Sequence, residues 1–336
     1  MDARLDTLLD WIQLESITGN EADYADAIGR EFTALGLGVE QQTLEDRRAN
    51  VLARGSDPRV VFCTHLDTVP PWIPPSRTGT TIHGRGSCDA KGPALAMLHA
   101  ARALLDSGED RIGFLMTVGE ETDGAGAQLA ERQRRAPWSP AYTIVGEPTD
   151  NRFVRGGKGV YKCVLKGHGV AGHSSEPIGP SAVHELVAAI ARLLGDTWGD
   201  HEVFGRGTIN FGRIEGGLAA NVTAPEAEAV LLVRAVEPPE IVEARVRQHL
   251  GEHVELVAEK SYGPIHFEVP DGGDGPVVAF GTDAPFLRSW GQPLLYGPGS
   301  IRDAHTAHEH LTEASFDRAV ADYEAVARQL LARTDA

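Results

Sequence analysis

Histidine and carboxylate side chains stand directly after three short apolar runs of the chain, at 60–64, 112–118 and 142–146. In an open α/β sheet, ligands bind in the crevice at the carboxyl ends of the strands. If the three runs are strands, the polar groups that follow them are expected to converge on one crevice. These groups are, in chain order, His65, Asp67, Glu120, Glu121 and Glu147.

Two further groups are available to the same crevice. Asp89 lies in the Gly-rich stretch 84–92 just before a predicted helix, and His305 follows the sequence Gly-Pro-Gly at 297–299. Imidazole and carboxylate groups are the ligands of Zn, Co and Mn sites, and no cysteine is placed to join them. The sequence therefore predicts two divalent metal ions, with zinc first and cobalt or manganese as alternatives.

A carboxylate can bridge two metal ions, and Asp89 is the candidate for the bridge. If Asp89 bridges, one ion takes His65 and Glu147 as further ligands. The other ion takes Glu121 and His305, and a shared water completes each coordination shell.

The adjacent acids Glu120 and Glu121 are expected to play different roles. Neighbours at a strand end point to opposite sides, so one can bind metal while the other acts as a base. A glutamate beside a water held by metal can accept its proton and pass that proton to a leaving amine. Asp67 is expected to hold the far imidazole nitrogen of His65.

The apolar pattern also predicts the elements that carry these residues. Two helices are expected within 5–35 and a third at 93–105, between the first two strands. Strands this apolar, alternating with helices, indicate an α/β fold with a mostly parallel sheet. A long helix at 313–331 has the same texture and is assigned to the same domain.

From about Gly159 the texture of the sequence changes. Short alternating runs and helical runs follow one another in the order β-α-β-β-α-β, which is typical of a compact α+β domain. This domain is expected to be inserted into the first. The predicted boundaries are 1–156 and 266–336 for the first domain and 157–265 for the second.

Composition excludes several classes of protein. The chain has 336 residues, with 48 Asp and Glu against 31 Lys and Arg, for a net charge of -17. Such a chain repels a phosphate backbone, so no nucleic acid is expected as partner. No apolar stretch is long enough to span a membrane, and the acidic start of the chain is unlike a secretory signal. Three scattered cysteines favour a reducing cytoplasm.

Seven ordered motifs resemble the co-catalytic zinc metallopeptidase and deacylase family. That family includes acetylornithine deacetylase, succinyl-diaminopimelate desuccinylase, aminoacylase and carboxypeptidase G. The motifs are HLDTVP at 65–70, GRGSCDAKG at 84–92, GEE at 119–121, GEPT at 146–149, GHSS at 172–175, GGLAANVTAP at 216–225 and GPGSIRDAHTAHE at 297–309. The resemblance covers essentially the whole chain.

The resemblance implies a di-zinc catalytic domain, similar to that of aminopeptidases, and a smaller lid domain that also forms a homodimer. It implies that His65, Asp89 and Glu147 bind one zinc. It likewise implies that Asp89, Glu121 and His305 bind the other.

The resemblance also assigns roles to groups that bind no metal. Glu120 would be the base, and Asp67 would orient His65. His173 would stabilise the oxyanion, in such enzymes often from the partner subunit. The residues that match positions in contact with the substrate carboxylate, or that stabilise the lid, are Lys158, Asn221 and Arg234.

The expected reaction is hydrolysis of the amide bond of an N-acyl amino acid, with N-acetylornithine first among the substrates. The alternatives are a desuccinylase, a dipeptidase or carboxypeptidase, and a lysine or ornithine hydrolase that works on a small acidic carrier protein. The charge of -17 disfavours the acidic carrier. An inactive binding relative would lack a ligand or the base, and a nucleotide-binding oxidoreductase would need the G-x-G-x-x-G spacing, which the glycine loops lack.

Overall fold

The computed structural model describes residues 3–45 and 47–334. Among these residues no helix combines the length and the apolar character needed to cross a membrane. The helices in chain order are α1 (Ala3–Gln13), α2 (Ala22–Ala34), α3 (Lys91–Asp106), α4 (Ala125–Gln133), α5 (Ala182–Leu194), α6 (Pro239–Gln248) and α7 (Glu313–Thr334), with 3-10 turns at Pro270–Gly272 and Ala284–Phe286.

The strands are numbered through the whole chain. In chain order they are β1 (Gly38–Glu45), β2 (Arg48–Arg54), β3 (Val60–His65), β4 (Ser76–Thr78), β5 (Thr81–His83), β6 (Ile112–Thr117), β7 (Tyr142–Val145), β8 (Gly156–Gly157), β9 (Gly159–His168), β10 (Gly172–His173), β11 (Asp200–His201), β12 (Gly205–Arg206), β13 (Thr208–Gly216), β14 (Val222–Thr223), β15 (Glu226–Ala235), β16 (Val254–Tyr262), β17 (Ile265–His266), β18 (Val277–Val278), β19 (Gln292–Leu295) and β20 (His310–Thr312).

The described residues form two compact units. The first runs through Arg155 and takes in Phe267–Pro276 and the chain from Thr282 onward. The second comprises Gly156–His266 and Val277–Gly281. The latter stretch joins the second unit because β18 pairs in parallel with β8.

The first unit is built on a six-stranded sheet in the order β1-β2-β6-β3-β7-β19. The four strands from β6 to β19 are parallel to one another, whereas β1 and β2 join antiparallel at one edge. The sheet is therefore mostly parallel, as predicted, but the sequence pattern did not signal the edge pair. Because β3 and β6 are parallel neighbours, the chain must cross over between them, and α3 makes that crossover.

Strands β3 and β6 are buried along their whole length, which explains their continuous apolar sequence. An aromatic chain holds them to the helices. The Phe32 ring of α2 lies 4.3 Å from that of Phe114, and Phe114 lies 5.5 Å from Phe62. Phe62 in turn meets Tyr323 of α7 edge-on at 5.9 Å. This packing holds β3 and β6 against α2 and α7.

The second unit contains a four-stranded antiparallel sheet in the order β13-β15-β9-β16. Its longer elements follow the chain order β9, α5, β13, β15, α6, β16. Burial along β15 alternates residue by residue, because one face of the sheet packs against helices α5 and α6 and the other does not. Strand β13 lies at an edge of this sheet.

Candidate metal centre

The polar residues singled out in the first unit lie at one edge of its parallel sheet. His65 is the last residue of β3, Glu120 and Glu121 follow β6, and Glu147 follows β7. Since β3, β6 and β7 are parallel neighbours, their carboxyl ends meet. Asp89 precedes α3.

Asp89 lies between two histidines. Its Oδ1 is 3.0 Å from Nε2 of His65, and its Oδ2 is 3.2 Å from Nε2 of His305. The same His305 nitrogen lies 3.0 Å from the carboxylate of Glu121. One carboxylate thus presents a separate oxygen to each imidazole, which is the arrangement that a bridging ligand requires.

His65 is oriented by the main chain. Its Nδ1 lies 2.8 Å from the carbonyl oxygen of Asp67, whereas the nearer carboxylate oxygen of Asp67 is 3.6 Å away. The Nδ1–H group therefore donates to the carbonyl oxygen, and Nε2 faces Asp89. The carboxylate of Asp67 faces the same nitrogen at ion-pair distance, and its role in orienting His65 stays a prediction.

The Asp67 carboxylate also binds the backbone of Glu120 and Glu121. Its two oxygens accept the backbone N–H groups of Glu120 at 3.1 Å and Glu121 at 3.2 Å. The hydroxyl of Thr18 donates to it at 2.7 Å. Although burial acts against ionisation, His65 and these donors lower the pKa of Asp67. Asp67 is therefore an anion that is fixed against the backbone of the two glutamates.

Charge attraction inside the cluster shifts the pKa values of its members. Burial acts to lower the pKa of His65, but Asp67 and Asp89 raise it well above the usual value. Burial acts to raise the pKa of Asp89, but His305 and His65 bring it below its usual range. Hydrogen bonds to Asp89 and Glu121 raise the pKa of His305 to about 10.

The remaining glutamates resist ionisation. Burial raises the pKa of Glu147 well above its usual value, and the nearby charge of Asp89 adds to this. Loss of solvent around its carboxyl group raises the pKa of Glu120 to about 8; His65 opposes this and Asp283 adds to it. Crowded acids in a buried site favour the arrival of a cation, which relieves their repulsion.

Asp283 is a buried acid near Glu120 that the sequence reasoning missed. Its Oδ2 accepts the hydroxyl of Thr117, the last residue of β6, at 2.5 Å. The two residues are 166 positions apart. Asp283 follows the short apolar run VVAF at 277–280 and a Gly-Thr turn, and this pattern of an acid after an apolar run is the signal that could have marked it.

His305 adopts a backbone conformation that is rare for residues with a side chain. Its φ is +64°, in the left-handed region. Holding a residue in this region costs free energy. Such residues cluster at functional sites, where the surrounding structure imposes the conformation. Two more histidines follow closely in the sequence, and their contact is with each other: Nδ1 of His310 donates to the carbonyl oxygen of His308 at 3.1 Å.

Four other residues singled out from the sequence lie in the second unit. His173 on β10 pairs with Val222 on β14, and the backbone of Asn221 accepts the N–H of the residue after His173 at 3.0 Å. Lys158 donates from Nζ to the carbonyl of Arg206 at 2.5 Å. Arg234 lies on β15, between β9 and β13. Their assignment to substrate binding and oxyanion stabilisation stays a prediction.

The donor set of the first unit fits divalent cations. One ligand atom from each of His65, Asp89 and Glu121 lies within 4.8 Å of the other two. The site is buried, and its donors are nitrogen and carboxylate oxygen, which suit zinc, cobalt and manganese. Glu147 and His305 extend the same cluster on the contacts and charges described above.

Comparison with known proteins places the chain in a family. Residues 61–329 match the family model described as Peptidase family M20/M25/M40. A peptidase M20 domain-containing protein of Schizosaccharomyces pombe is 36% identical over 90% of this chain and 78% of its own length. A probable carboxypeptidase of Aspergillus flavus is 34% identical over 93% of this chain and 87% of its own length.

Solved structures share the fold. Aminopeptidase PepT of Bacillus cereus matches with a TM-score of 0.78 and 20% identity, covering 98% of each chain. The YXEP protein of Bacillus subtilis, described as a dinuclear metal-binding peptidase of the M20 family, matches with a TM-score of 0.69 and 12% identity. It covers 96% of each chain.

The chain therefore belongs to the M20/M25/M40 peptidase family. It is a metal-dependent hydrolase that acts on amide bonds, and the cluster around His65, Asp89 and Glu121 is its candidate metal site.

Zinc binding to the metal-free protein is expected to release protons. Asp89 and its neighbours raise the pKa of His65 well above its usual value and that of His305 to about 10, and metal binds only the neutral imidazole, so protons leave both rings when zinc binds. Apparent zinc affinity should therefore weaken as pH falls. Calorimetry in two buffers of different ionisation enthalpy measures the release.

A matched pair of variants locates the protons. His305→Ala should release about one proton fewer than the native chain, because His305 contacts Asp89 and Glu121. The nearby His308→Ala is the control and should behave as native. A binding heat that does not depend on the buffer would contradict the prediction.

Proposed function

We propose that the chain hydrolyses the amide bond of an N-acyl amino acid and releases a carboxylic acid and the free amino acid. N-acetylornithine is the first candidate substrate and zinc the first candidate metal. The observation that carries the proposal is the cluster centred on Asp89, with Glu120 close enough to His65 and Glu121 for their charges to act on its pKa.

The chain's residues divide into two ligand sets that share Asp89. His65 and Glu147 would hold one ion, and Glu121 and His305 the other. When bound, two such ions polarise a carbonyl and lower the pKa of water, which makes a nucleophile available at neutral pH. The Asp67 carboxylate supports this division, since it fixes the backbone on which Glu120 and Glu121 diverge.

Glu120 is the proposed general base and then general acid. It takes a proton from the attacking water and returns that proton to the departing nitrogen, so that the amine leaves neutral. His173 is the proposed oxyanion donor. The N–H of Ser175 donates to its Nδ1 at 3.3 Å, so the neutral ring carries its proton on Nε2, ready to donate.

Recognition of the amino acid carboxylate is assigned to Lys158, Asn221 and Arg234. The two cations offer the charge and hydrogen bonds that a carboxylate needs. The second candidate function, a carboxypeptidase or dipeptidase, is favoured by the relatives named probable carboxypeptidases. Both candidates cleave an amide whose nitrogen belongs to an amino acid with a free carboxylate.

A panel of substrates with and without chelator tests the function. The purified protein should cleave N-acetyl amino acids, N-acetylornithine first, and lose this activity when excess chelator removes the metal. Zinc or cobalt should restore it, since the donor set suits both ions. N-succinyl amino acids, dipeptides and longer peptides complete the panel, and amine release is the readout.

The outcomes separate the alternatives. Faster cleavage of peptides than of N-acetyl amino acids would replace the deacetylase with the carboxypeptidase or dipeptidase. Full activity in excess chelator, with no metal in the purified protein, would reject the metal-dependent mechanism altogether.

Glu120→Gln should keep both metals and lose most of its turnover. The amide is nearly isosteric but cannot accept a proton, so kcat should fall by about 10²–10⁴-fold. Metal analysis and steady-state kinetics check this, with the exposed Glu252→Gln as a surface control. Loss of metal with turnover retained would mean that Glu120 and Glu121 have exchanged roles.

We also propose a homodimer formed through the second unit. Of nine large hydrophobic residues that are exposed among the described residues, seven lie in this unit. Val187 and Leu194 on α5 and Ile214 on β13 are each more than half exposed. Strand β13 is an edge strand whose outer N–H and C=O groups can pair with a second copy.

A charge on the edge strand should break this dimer. Ile214→Asp is expected to turn a dimer into a monomer in size-exclusion chromatography with light scattering, because it puts a carboxylate into an apolar contact. Val39→Asp on β1, the exposed edge strand of the first unit, is the matched control at 38% exposure and should leave the dimer intact. A native chain that is monomeric, or an Ile214→Asp variant that stays dimeric, would refute the proposal.

The cytoplasm is the proposed compartment. Its support is that Cys63, Cys88 and Cys163 are all buried as free thiols. Exported proteins more often use their cysteines in disulfides.

A further inference from the structure

A buried ion pair joins two distant loops beside the metal centre. Arg85 and Glu309 are only 2% and 1% exposed. Nη1 of Arg85 donates to Oε2 of Glu309 at 2.7 Å, across 224 positions of sequence. Neither residue stood out as a site residue in the sequence.

The second oxygen of Glu309 binds the backbone that leads to Asp89. Oε1 accepts the N–H groups of Gly86 at 3.0 Å, Cys88 at 3.2 Å and Asp89 itself at 3.2 Å. Successive N–H groups that converge on one anion form a nest, and they fix the loop around that anion. One carboxylate therefore holds the loop 86–89 at three points.

Glu309 also belongs to the loop that carries His305. The two residues are four positions apart, and Arg85 reaches the carbonyl of Thr306 between them at 3.3 Å. The carbonyl of Glu309 accepts the N–H of Gly84 at 3.2 Å. The loop of Asp89 and the loop of His305 are thus bound to each other beside the point where Oδ2 of Asp89 meets His305 at 3.2 Å.

We infer that Glu309, with Arg85, is a positioning residue that sets the separation of Asp89 and His305 and so the affinity of the centre for its second cation. The inference rests on the proposed function, in which Asp89 bridges two ions. A buried ion pair is weak support for stability as such, because desolvation offsets much of the attraction. Here the carboxylate of Glu309 also binds the backbone N–H of Asp89, the proposed bridging ligand. The positioning role rests on this contact.

The test is Glu309→Gln in the full chain, loaded with zinc or cobalt. A glutamine presents one oxygen and one NH2 group, so either Arg85 or the three backbone N–H groups must face another donor. Affinity for the more weakly held zinc, measured against a competing chromophoric chelator, should fall by about 10–100-fold. The visible spectrum and magnetic coupling of the dicobalt form should change, and kcat should fall with KM nearly unchanged.

Two further variants separate positioning from stability. Glu237→Gln removes the paired hydrogen bonds to Arg245 in the second unit, at 2.6 and 3.1 Å, and should leave zinc affinity and the cobalt spectrum as native. Glu309→Asp keeps the negative charge and should recover part of the zinc affinity. It also serves as the measured variant if Glu309→Gln does not fold.

The results distinguish this inference from the proposed function. Native zinc affinities and a native cobalt spectrum in a folded Glu309→Gln variant would overturn the role of Glu309 while the native chain remained a metal-dependent hydrolase. A native chain that binds no zinc and hydrolyses amides in excess chelator would instead reject the metal centre itself.

Discussion

The sharing of Asp89 between two imidazoles is the interaction on which the rest of the first unit depends. Each carboxylate oxygen faces a different histidine, at 3.0 and 3.2 Å. Around this centre lie Glu120, Glu121 and Glu147, each with a raised pKa because burial disfavours its charged form. Such a cluster is tolerable only with positive charge inside it, supplied by protons on the histidines or by metal.

The backbone as well as the side chains help to offset the negative charge of this cluster. Asp89 stands just before α3, where the N–H groups at the start of a helix favour a negative charge.

The first residue of that helix, Lys91, is buried and donates from Nζ to the carbonyls of Trp11 at 2.9 Å and Leu14 at 2.6 Å, which ties α1 to the loop. Gly84 has φ of +138°, and a Cβ there would lie 2.7 Å from Ile12, so only glycine fits.

The sequence could predict the features that depend on local pattern. Apolar runs with polar residues after them marked β3, β6 and β7, and hence His65, Glu121 and Glu147, because buried parallel strands read as continuous apolar segments. Strand β1, GVEQQTLE, lies at the sheet edge and is largely exposed, so it carries no such signal.

Features made by distant contacts were out of reach of the sequence pattern. The carboxylate of Asp67 also accepts two backbone N–H groups from the loop after β6, which no spacing rule predicts. Asp283 and Glu309 act through partners more than 160 positions away. An isolated acid is ordinarily a solvated surface residue, and only the fold distinguishes it from a buried acid with a distant partner.

Reaction class and substrate choice depend on different parts of the chain. The candidate ligands and Glu120 all lie in the first unit, and metal chemistry there would act on an amide carbonyl whatever acyl group it carries. The amino acid carboxylate is common to N-acyl amino acids and to the C-terminal end of peptides, so a cation such as Lys158 or Arg234 would serve both. Discrimination must therefore come from the acyl side, where size is the main difference between an acetyl group and a peptide. Loops set such preferences, and the same metal chemistry can accept different substrates when the loops differ.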